Sequence, residues 1–223
     1  RRRAFRNHLD ADATYSADIQ NFYGAVYASI GSDGLFLDLS GTFGAGEGDE
    51  KNALMKGEFD TTIYGASAGI GWRINAGPLA ITPEASVLFT GYAQDAYTRD
   101  FLASPTLEVD DYDADSLQGT FGANIASKQQ IDILRHGLAI YPELRVHYIH
   151  EFNPDLDPFT YAVGANIDTF ALRSREESLV KIGTGFDLWS WNLQNTKFEL
   201  DYDALIGESF QSHTLSGKIT HQF

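Results

Sequence analysis

Two histidines and a glutamate lie close together in the second half of the chain, at His147, His150 and Glu151. Imidazole and carboxylate groups at close spacing can hold a metal ion or move a proton. A β-strand would place His147 and His150 on opposite faces, because successive side chains alternate between the two sides. They could share an ion only with help from other strands, so we predict no metal site and no cofactor.

Two other stretches match ligand-binding loops incompletely. The alternating aspartates of residues 111–115 have the spacing of the first three ligands in a calcium loop, but Ser116 replaces the required glycine and Gly122 the final glutamate. The glycine-rich segment 44–48 lacks the Lys-Ser/Thr ending of a phosphate loop. A solvated acidic loop and a strand exit are the simpler interpretations.

Composition excludes several classes of protein. The chain has 223 residues and no cysteine, which excludes a disulfide framework, a thiolate zinc site and a cysteine nucleophile. Lys and Arg number 16 against 31 Asp and Glu, and the resulting charge of −15 predicts no binding to nucleic acid. Mean hydropathy is −0.24, and no apolar run approaches the roughly eighteen residues of a membrane helix. A membrane β-barrel stays open, because only every second residue must be apolar there.

Apolar and polar residues alternate with a period of two, most clearly from Leu138 to Phe152. The even positions of this stretch are nearly all apolar, and the odd positions carry most of its charge. This pattern predicts a strand between two unlike media. At about 3.3 Å per residue the strand would exceed roughly 40 Å, whereas soluble strands usually have about five to six residues.

The same alternation recurs and predicts about nine long strands. The stretches are 19–30, 35–43, 64–74, 79–90, 117–125, 138–152, 180–188, 198–206 and 214–223. Their polar faces are rich in Gly, Ser, Thr and Asn, which suit the crowded, wet interior of a barrel.

Short and long connections alternate between these strands. Tight turns are predicted at 31–34 and 75–78, and long polar loops at 46–60, 95–114 and 153–177. Outer-membrane barrels have short periplasmic turns and longer external loops. The predicted fold is therefore an all-β, antiparallel, up-and-down transmembrane β-barrel.

A faint repeat relates Leu79–Glu84 to Leu138–Glu143, and each segment carries a proline in its fifth position. Proline cannot donate a hydrogen bond to a β-ladder. We therefore expect Pro83 and Pro142 near a strand start or at a locally unpaired position.

Together these stretches resemble one family, the C-terminal β-barrel translocator domain of bacterial autotransporters (type V secretion). The order and spacing of the stretches carry the resemblance, which covers nearly the whole chain from about residue 20. The matching stretches are Tyr23–Ser29 with Leu35–Gly41, Tyr64–Trp72, Leu79–Pro83, Leu138–Phe152 and Ser212–Phe223.

The resemblance implies a twelve-strand barrel in the bacterial outer membrane, of which about nine strands are present in this chain. Strand parity, counted back from a periplasmic Phe223, places residues 1–18 outside the cell. We therefore expect an N-terminally truncated barrel, with an external loop remnant at 1–18 and a partial translocator barrel at 19–223. The pore helix and the passenger are expected to lie outside this chain.

The alternation also assigns side chains to the two faces of the predicted barrel. The residues predicted to line the lumen are Arg73, Glu84, Glu143, Arg145, Glu199, Asp201 and Asp203. The residues predicted to face lipid are Ile140, Leu144, Val146, Tyr148, Leu200 and Tyr202. Paired acids beside a base could hydrolyse a linker, but no matching motif is present, so we predict a structural network and no catalytic residue.

The last predicted strand ends on an aromatic residue that follows apolar residues at alternate positions. In the family that this chain resembles, such an end is recognised by the outer-membrane assembly machinery, through strand addition to an exposed edge. The residues that match this signal are Leu215, Ile219, His221 and Phe223. His221 departs from the aromatic that is usual at its place.

The predicted function is an outer-membrane translocator that anchors an autotransporter passenger and helps to export it to the cell surface. Its expected partners are outer-membrane lipid, the barrel-assembly machinery and its own passenger domain. Two alternatives stay open: a simple outer-membrane porin or adhesin barrel without a passenger, and a soluble β-sandwich binding domain. An enzyme such as a lipase-type barrel is disfavoured, because no nucleophile motif is present.

Overall fold

The computed structural model describes most of the chain. The residues outside the description are 1–2, 11–14, 53–54, 102–105, 128–130, 135–137, 164–165, 173, 191–195 and 222–223. No helix long and apolar enough to cross a membrane occurs in the described part.

The described residues form sixteen β-strands that belong to one sheet. In chain order they are β1 (Arg3–Asp10), β2 (Tyr15–Ser32), β3 (Leu35–Asn52), β4 (Met55–Trp72), β5 (Ile74–Ala76), β6 (Leu79–Gln94), β7 (Tyr97–Phe101), β8 (Leu107–Val109), β9 (Tyr112–Ser127), β10 (Ile131–Leu134), β11 (Leu138–Glu151), β12 (Phe159–Val163), β13 (Asn166–Phe170), β14 (Ser178–Ser190), β15 (Thr196–Ile206) and β16 (Gln211–His221).

The long strands are antiparallel and lie side by side in chain order. The spatial order is β1-β2-β3-β4-β6-β9-β11-β14-β15-β16, while β5 pairs with β6 and β10 with β11. This order confirms the predicted up-and-down topology. The nine predicted strands are all present, as β2, β3, β4, β6, β9, β11, β14, β15 and β16.

The prediction of a loop over residues 1–18 was wrong for most of that range. Residues 3–10 form β1, which pairs with residues 16–23 of β2 along its whole length. Charged and apolar residues are mixed in this segment, so its side chains give only a weak strand pattern. Backbone hydrogen bonds to β2 make it a strand nonetheless, since they do not depend on the side chains.

The three long segments predicted as loops also contain strands. β3 and β4 continue as a hairpin through 46–60, with their register kept from Gly46 opposite Thr61 to Lys51 opposite Lys56. The other two segments supply β7, β8, β12 and β13, which are called the extension below. These strands pair in that order, beginning at the first residues of β4. Val109, which is 2% exposed, is buried there. The extension therefore has a small core of its own.

A positive backbone φ angle makes glycine necessary in the first tight turn. The φ angles are 51° at Asp33 and 86° at Gly34. A Cβ atom on Gly34 would lie 2.6 Å from the carbonyl oxygen of Arg73, whose own N–H donates to the Gly34 carbonyl at 2.8 Å. This turn is thus locked against the end of β4.

Both prolines of the repeat lie where the ladder is interrupted. On one side of β6, pairing with β4 stops at Glu84 and pairing with β5 begins at Ile81, so Pro83 falls in the gap. On the corresponding side of β11, Pro142 falls between the segments that pair with β9 and with β10. The prediction for Pro83 and Pro142 is confirmed.

The two faces of the sheet differ in the way the alternation predicts. On one side, the apolar face, large side chains are exposed, including Leu144 at 44% and Val146 at 46%. On the other side, the polar face, charged residues and glycines predominate. Large apolar side chains that stay outside a core suit a hydrocarbon environment, as on the outer surface of a membrane barrel.

Candidate functional site

A row of cross-strand neighbours on the polar face joins β11, β14 and β15. Arg145 lies opposite Gly183, which in turn lies opposite Asp203. The guanidinium of Arg145 reaches across β14, and its Nη1 is 2.8 Å from Asp201 Oδ1 while its Nη2 is 3.4 Å from Asp203 Oδ1. Nη1 also lies 3.3 Å from Glu143 Oε1 on the same strand. One cation therefore holds three carboxylates from two strands.

Glycines in β14 make this contact possible. Neighbouring strands are about 4.8 Å apart, so Arg145 spans roughly 10 Å to reach β15. A Cβ atom at Gly183 would lie 2.2 Å from Asp203 Oδ1 and 2.9 Å from Arg145 Nε. At Gly185 it would lie 2.3 Å from Asp201 Oδ1. Any side chain at these positions would occupy the space that the ion pairs use.

A second row has the same design on the other side of β11. Glu84 of β6 lies opposite Gly122 of β9, which lies opposite His147 of β11. His147 Nε2 is 2.7 Å from Glu84 Oε1, and Asn124 Nδ2 donates to Glu84 Oε2 at 3.1 Å. A Cβ atom at Gly122 would lie 2.1 Å from the Val146 carbonyl oxygen and 2.5 Å from His147 Cδ2. Glycine again separates two long polar side chains that meet across a strand.

A third cluster ties the last three strands together. Lys197 Nζ is 2.8 Å from Asp187 Oδ2 and 2.6 Å from Glu199 Oε1. Lys218 Nζ lies 2.8 Å from Glu199 Oε2. Ion pairs thus connect the polar faces of the strands from β11 to β16. Arg145 and Lys197 each lie between carboxylates that would otherwise repel one another.

Glu151, one of the candidates for metal binding or proton transfer, is a structural acceptor. The residue is 3% exposed, and its carboxylate accepts hydrogen bonds from the backbone N–H groups of Leu117 at 3.0 Å and Asn153 at 3.1 Å. It also accepts from Gln118 Nε2 at 3.2 Å and from the Ser116 hydroxyl. With its oxygens occupied in this way, Glu151 caps the junction between β9 and β11.

The two histidines of β11 lie on opposite faces, as the alternation predicts. His147 belongs to the polar row, whereas His150 packs between Tyr148, with ring centroids 6.4 Å apart, and Phe152, at 4.7 Å. In the described part of the chain, no group of three or more His, Asp or Glu residues could hold a metal ion. Asp115, from the aspartate series at 111–115, accepts a hydrogen bond from Asn153 Nδ2 at 3.1 Å.

The extension is fixed to β3 by a separate polar cluster. Arg99 contacts Glu50 with both Nε and Nη2, the latter at 2.9 Å from Glu50 Oε2, and Nη2 donates to the Tyr97 hydroxyl at 2.9 Å. Burial raises the pKa of Tyr97 to about 12, and the negative charge of Glu50 adds to the rise. The Tyr97 hydroxyl therefore stays neutral through the physiological range.

The structure brings four of the seven predicted lumen residues together in one cluster. Glu143, Arg145, Asp201 and Asp203 form one cluster. The remaining residues lie apart from it. Glu199 belongs to the lysine cluster, Glu84 to the histidine row, and Arg73 lines a cavity of about 630 Å³ together with Glu143, Thr82 and Asn124.

The residues predicted to face lipid lie on the apolar face. Leu144, Val146, Leu200 and Tyr202 are exposed, and Ile140 and Tyr148 are partly exposed. The Tyr148 hydroxyl lies 2.7 Å from the Ser178 Oγ atom, near the end of β14. Contact of this face with lipid stays a prediction.

The residues of the predicted assembly signal lie on β16, except for Phe223, which is outside the described residues. Leu215 and Ile219 are 71% and 69% exposed and lie opposite Tyr202 and Phe198 of β15. His221 Nδ1 is 2.8 Å from the Thr196 hydroxyl. Recognition of this strand by an assembly machinery stays a prediction.

The sequence analysis missed the glycine spacers at 122, 183 and 185 and the cluster of Glu50 with Arg99. Glycines at alternate positions of the polar faces were visible, but their role depends on which residues lie opposite them. That information is the strand register, which local alternation does not contain.

The antiparallel order and the two sorted faces are those of the wall of an outer-membrane β-barrel. The family model for the autotransporter beta-domain matches residues 5–203. The chain belongs to this family, and it is an outer-membrane domain for passenger export. The resemblance noted in the sequence is thereby confirmed.

A solved structure of low sequence identity agrees with this fold. The translocator domain of the autotransporter NalP from Neisseria meningitidis has a TM-score of 0.65 and 14% identity, over 99% of this chain and 73% of that chain. The transport unit of the autotransporter AIDA-I from Escherichia coli has a TM-score of 0.38 and 12% identity, over 96% of this chain and 86% of that chain. No curated protein sequence matches this chain.

Proposed function

We propose that the polar face lines the bore of the translocator and that the apolar face meets membrane lipid. The main support is the sorting of side chains between adjacent positions of β11. Arg145 is held by three carboxylates on one side, while Leu144 and Val146 stand exposed on the other. The residues proposed to line the bore are Arg73, Glu84, Glu143, Arg145, Glu199, Asp201 and Asp203. The residues proposed to meet lipid are Ile140, Leu144, Val146, Tyr148, Leu200 and Tyr202.

The bore acts by shape and charge rather than by covalent chemistry in this proposal. The carboxylates in the clusters of Arg145 and Lys197 are occupied by these cations. We therefore propose a transport domain without enzymatic activity. Its partners are a passenger that it anchors, the lipid around it, and an assembly machinery that binds β16.

Site-directed spin labelling tests the assignment of faces, and the absence of native cysteine makes it straightforward. Single cysteines are introduced as Val146→Cys and Ile182→Cys on the apolar face, and as Ser86→Cys and Thr120→Cys on the polar face. The protein is reconstituted in phospholipid vesicles. Collision rates of each label with oxygen, which concentrates in lipid, and with a water-soluble nickel chelate are then measured.

Labels at 146 and 182 should collide mainly with oxygen, and labels at 86 and 120 mainly with the nickel chelate. The two positions within each pair control for one another, because they lie in different strands. Equal accessibility of all four labels to the nickel chelate, or the reverse pattern, would refute the proposed orientation.

A further inference from the structure

β11 carries two long polar side chains that bind across a neighbouring strand rather than to it. Arg145 crosses β14 to reach β15, and His147 meets Glu84 across β9. In both rows the residue between the partners is a glycine, Gly183 or Gly122. A polar side chain that lies flat against the polar face in this way does not project away from the sheet.

We propose that Gly183 is a positioning residue for export, because it keeps Arg145 flat against the wall and leaves the bore clear for the passenger. This inference rests on the proposed function. It adds a residue that contacts neither lipid nor passenger and acts through another side chain.

A Cβ atom at position 183 would displace the Arg145 guanidinium, and the surrounding geometry leaves one direction for it to move. Arg145 is held by Nη contacts on β15, and its buried Nε has no hydrogen-bond partner among the described residues. A Cβ atom at Gly183 would lie 2.9 Å from that Nε and 2.2 Å from Asp203 Oδ1. The backbones of β11 and β14 lie behind it, so the guanidinium would move away from the sheet, toward the bore.

Gly183 suits this test better than Gly122. The atoms near a Cβ at Gly183 belong to flexible side chains, which can shift while the strands stay paired. A Cβ at Gly122 would instead meet the backbone carbonyl oxygen of Val146 at 2.1 Å. We therefore expect Gly183→Ala to assemble with a rearranged cluster, and Gly122→Ala to fail at folding.

The experiment measures the passenger at the cell surface and the assembled, heat-modifiable translocator in the same cells, using the full-length protein. The ratio of the two is the readout. Gly183→Ala should lower this ratio several-fold. The matched control is Gly24→Ala on β2, where no heavy atom lies within 4 Å of the added Cβ, and its ratio should stay at the wild-type value.

A second variant separates positioning from structure. In Gly183→Ala/Asp203→Ala the oxygen nearest the new Cβ is gone, while Arg145 retains Asp201 at 2.8 Å. We expect this double variant to recover most of the lost ratio, since the guanidinium can again lie along the wall.

The remaining outcomes overturn the inference. They are an unchanged ratio in Gly183→Ala, a failure of that variant to assemble, or a double variant that exports no better than the single one. In each of these cases export by the wild type leaves the proposed function standing. A wild-type protein that assembles but exports no passenger would refute both.

Discussion

An arginine in place of Leu144 tests which face of the sheet meets hydrocarbon. The apolar positions of β11 run from Ile140 to Tyr148, and Leu144 is the central one. It lies opposite Ile125 of β9 and Thr184 of β14, and it is 44% exposed. The sequence already contains an arginine at the next position, where the polar face holds it with three carboxylates. The substitution therefore moves the same side chain to the opposite face at nearly the same depth.

The expected cost follows from this depth. A lipid-facing Arg at the middle of a transmembrane barrel destabilises it by about 2–4 kcal/mol, and the cost falls to about 0–1 kcal/mol near the interfaces. Because Leu144 is central, we expect the upper range for Leu144→Arg. At about 1.4 kcal/mol per tenfold, this corresponds to a loss of roughly 30- to 700-fold in the folding equilibrium constant.

The matched control is Thr82→Arg on the polar face. Thr82 lies opposite Asn124, which lies opposite Arg145, the residue that follows Leu144. Its side chain lines the cavity of about 630 Å³ that also contains Glu143, an acceptor for a new cation. We expect a change below about 1 kcal/mol for an ion pair that remains solvated.

Urea unfolding in phospholipid vesicles, followed by tryptophan fluorescence, measures both variants. Leu144→Arg should lower the urea midpoint clearly, and Thr82→Arg should leave it nearly unchanged. Equal shifts for the two variants, or a larger shift for Thr82→Arg, would show that the faces are assigned wrongly.

Two further predictions concern the turn and the extension. Gly34→Asn should destabilise the protein by about 1–3 kcal/mol, because the new Cβ would lie 2.6 Å from the Arg73 carbonyl oxygen. Gly77→Asn is the control and should be nearly neutral, since Gly77 also has a positive φ, of 60°, but has open space around it. Urea midpoints compare the two, and equal losses would contradict the role of the contact. Burial raises the pKa of Tyr97 in the folded protein to about 12, whereas the pKa of tyrosine in the unfolded chain is near 10. As the pH rises from 10 to 12, the unfolded chain therefore loses the hydroxyl proton first, and the free energy of unfolding falls. Tyr97→Phe should flatten that decline in stability, which is measured as the protease resistance of the extension. Tyr27→Phe is the control and should retain the decline, because Tyr27 is 87% exposed. A decline that Tyr97→Phe leaves unchanged would contradict this reasoning.

Local pattern predicts the strands of this protein well because a strand and its two faces are encoded by neighbouring residues. The alternation of residues 138–152 was sufficient to place Arg145 and His147 on one face and Leu144 on the other. The prolines were interpretable for the same reason, since the missing N–H of Pro83 or Pro142 is a property of that residue alone.

Segments with a weak side-chain pattern were predicted wrongly. Residues 3–10 and the three long polar segments were assigned to loops, yet they supply β1, the outer part of the β3–β4 hairpin and the strands of the extension. Their strands are stabilised by pairing of backbone groups with partners already in the sheet. Leu107 and Val109 are buried in β8, whose partner β12 comes from a segment about fifty residues further along the chain.

The sequence by itself determined the nine long strands, the sorting of their side chains into an apolar and a polar face, and the family. Tertiary structure alone decided which residues meet across the strands. Arg145 and Asp203 are 58 positions apart, and their contact depends on the register of β11, β14 and β15 and on the glycine between them. A shift of one residue in that register would move every partner to the other face, and no local pattern specifies the register between strands.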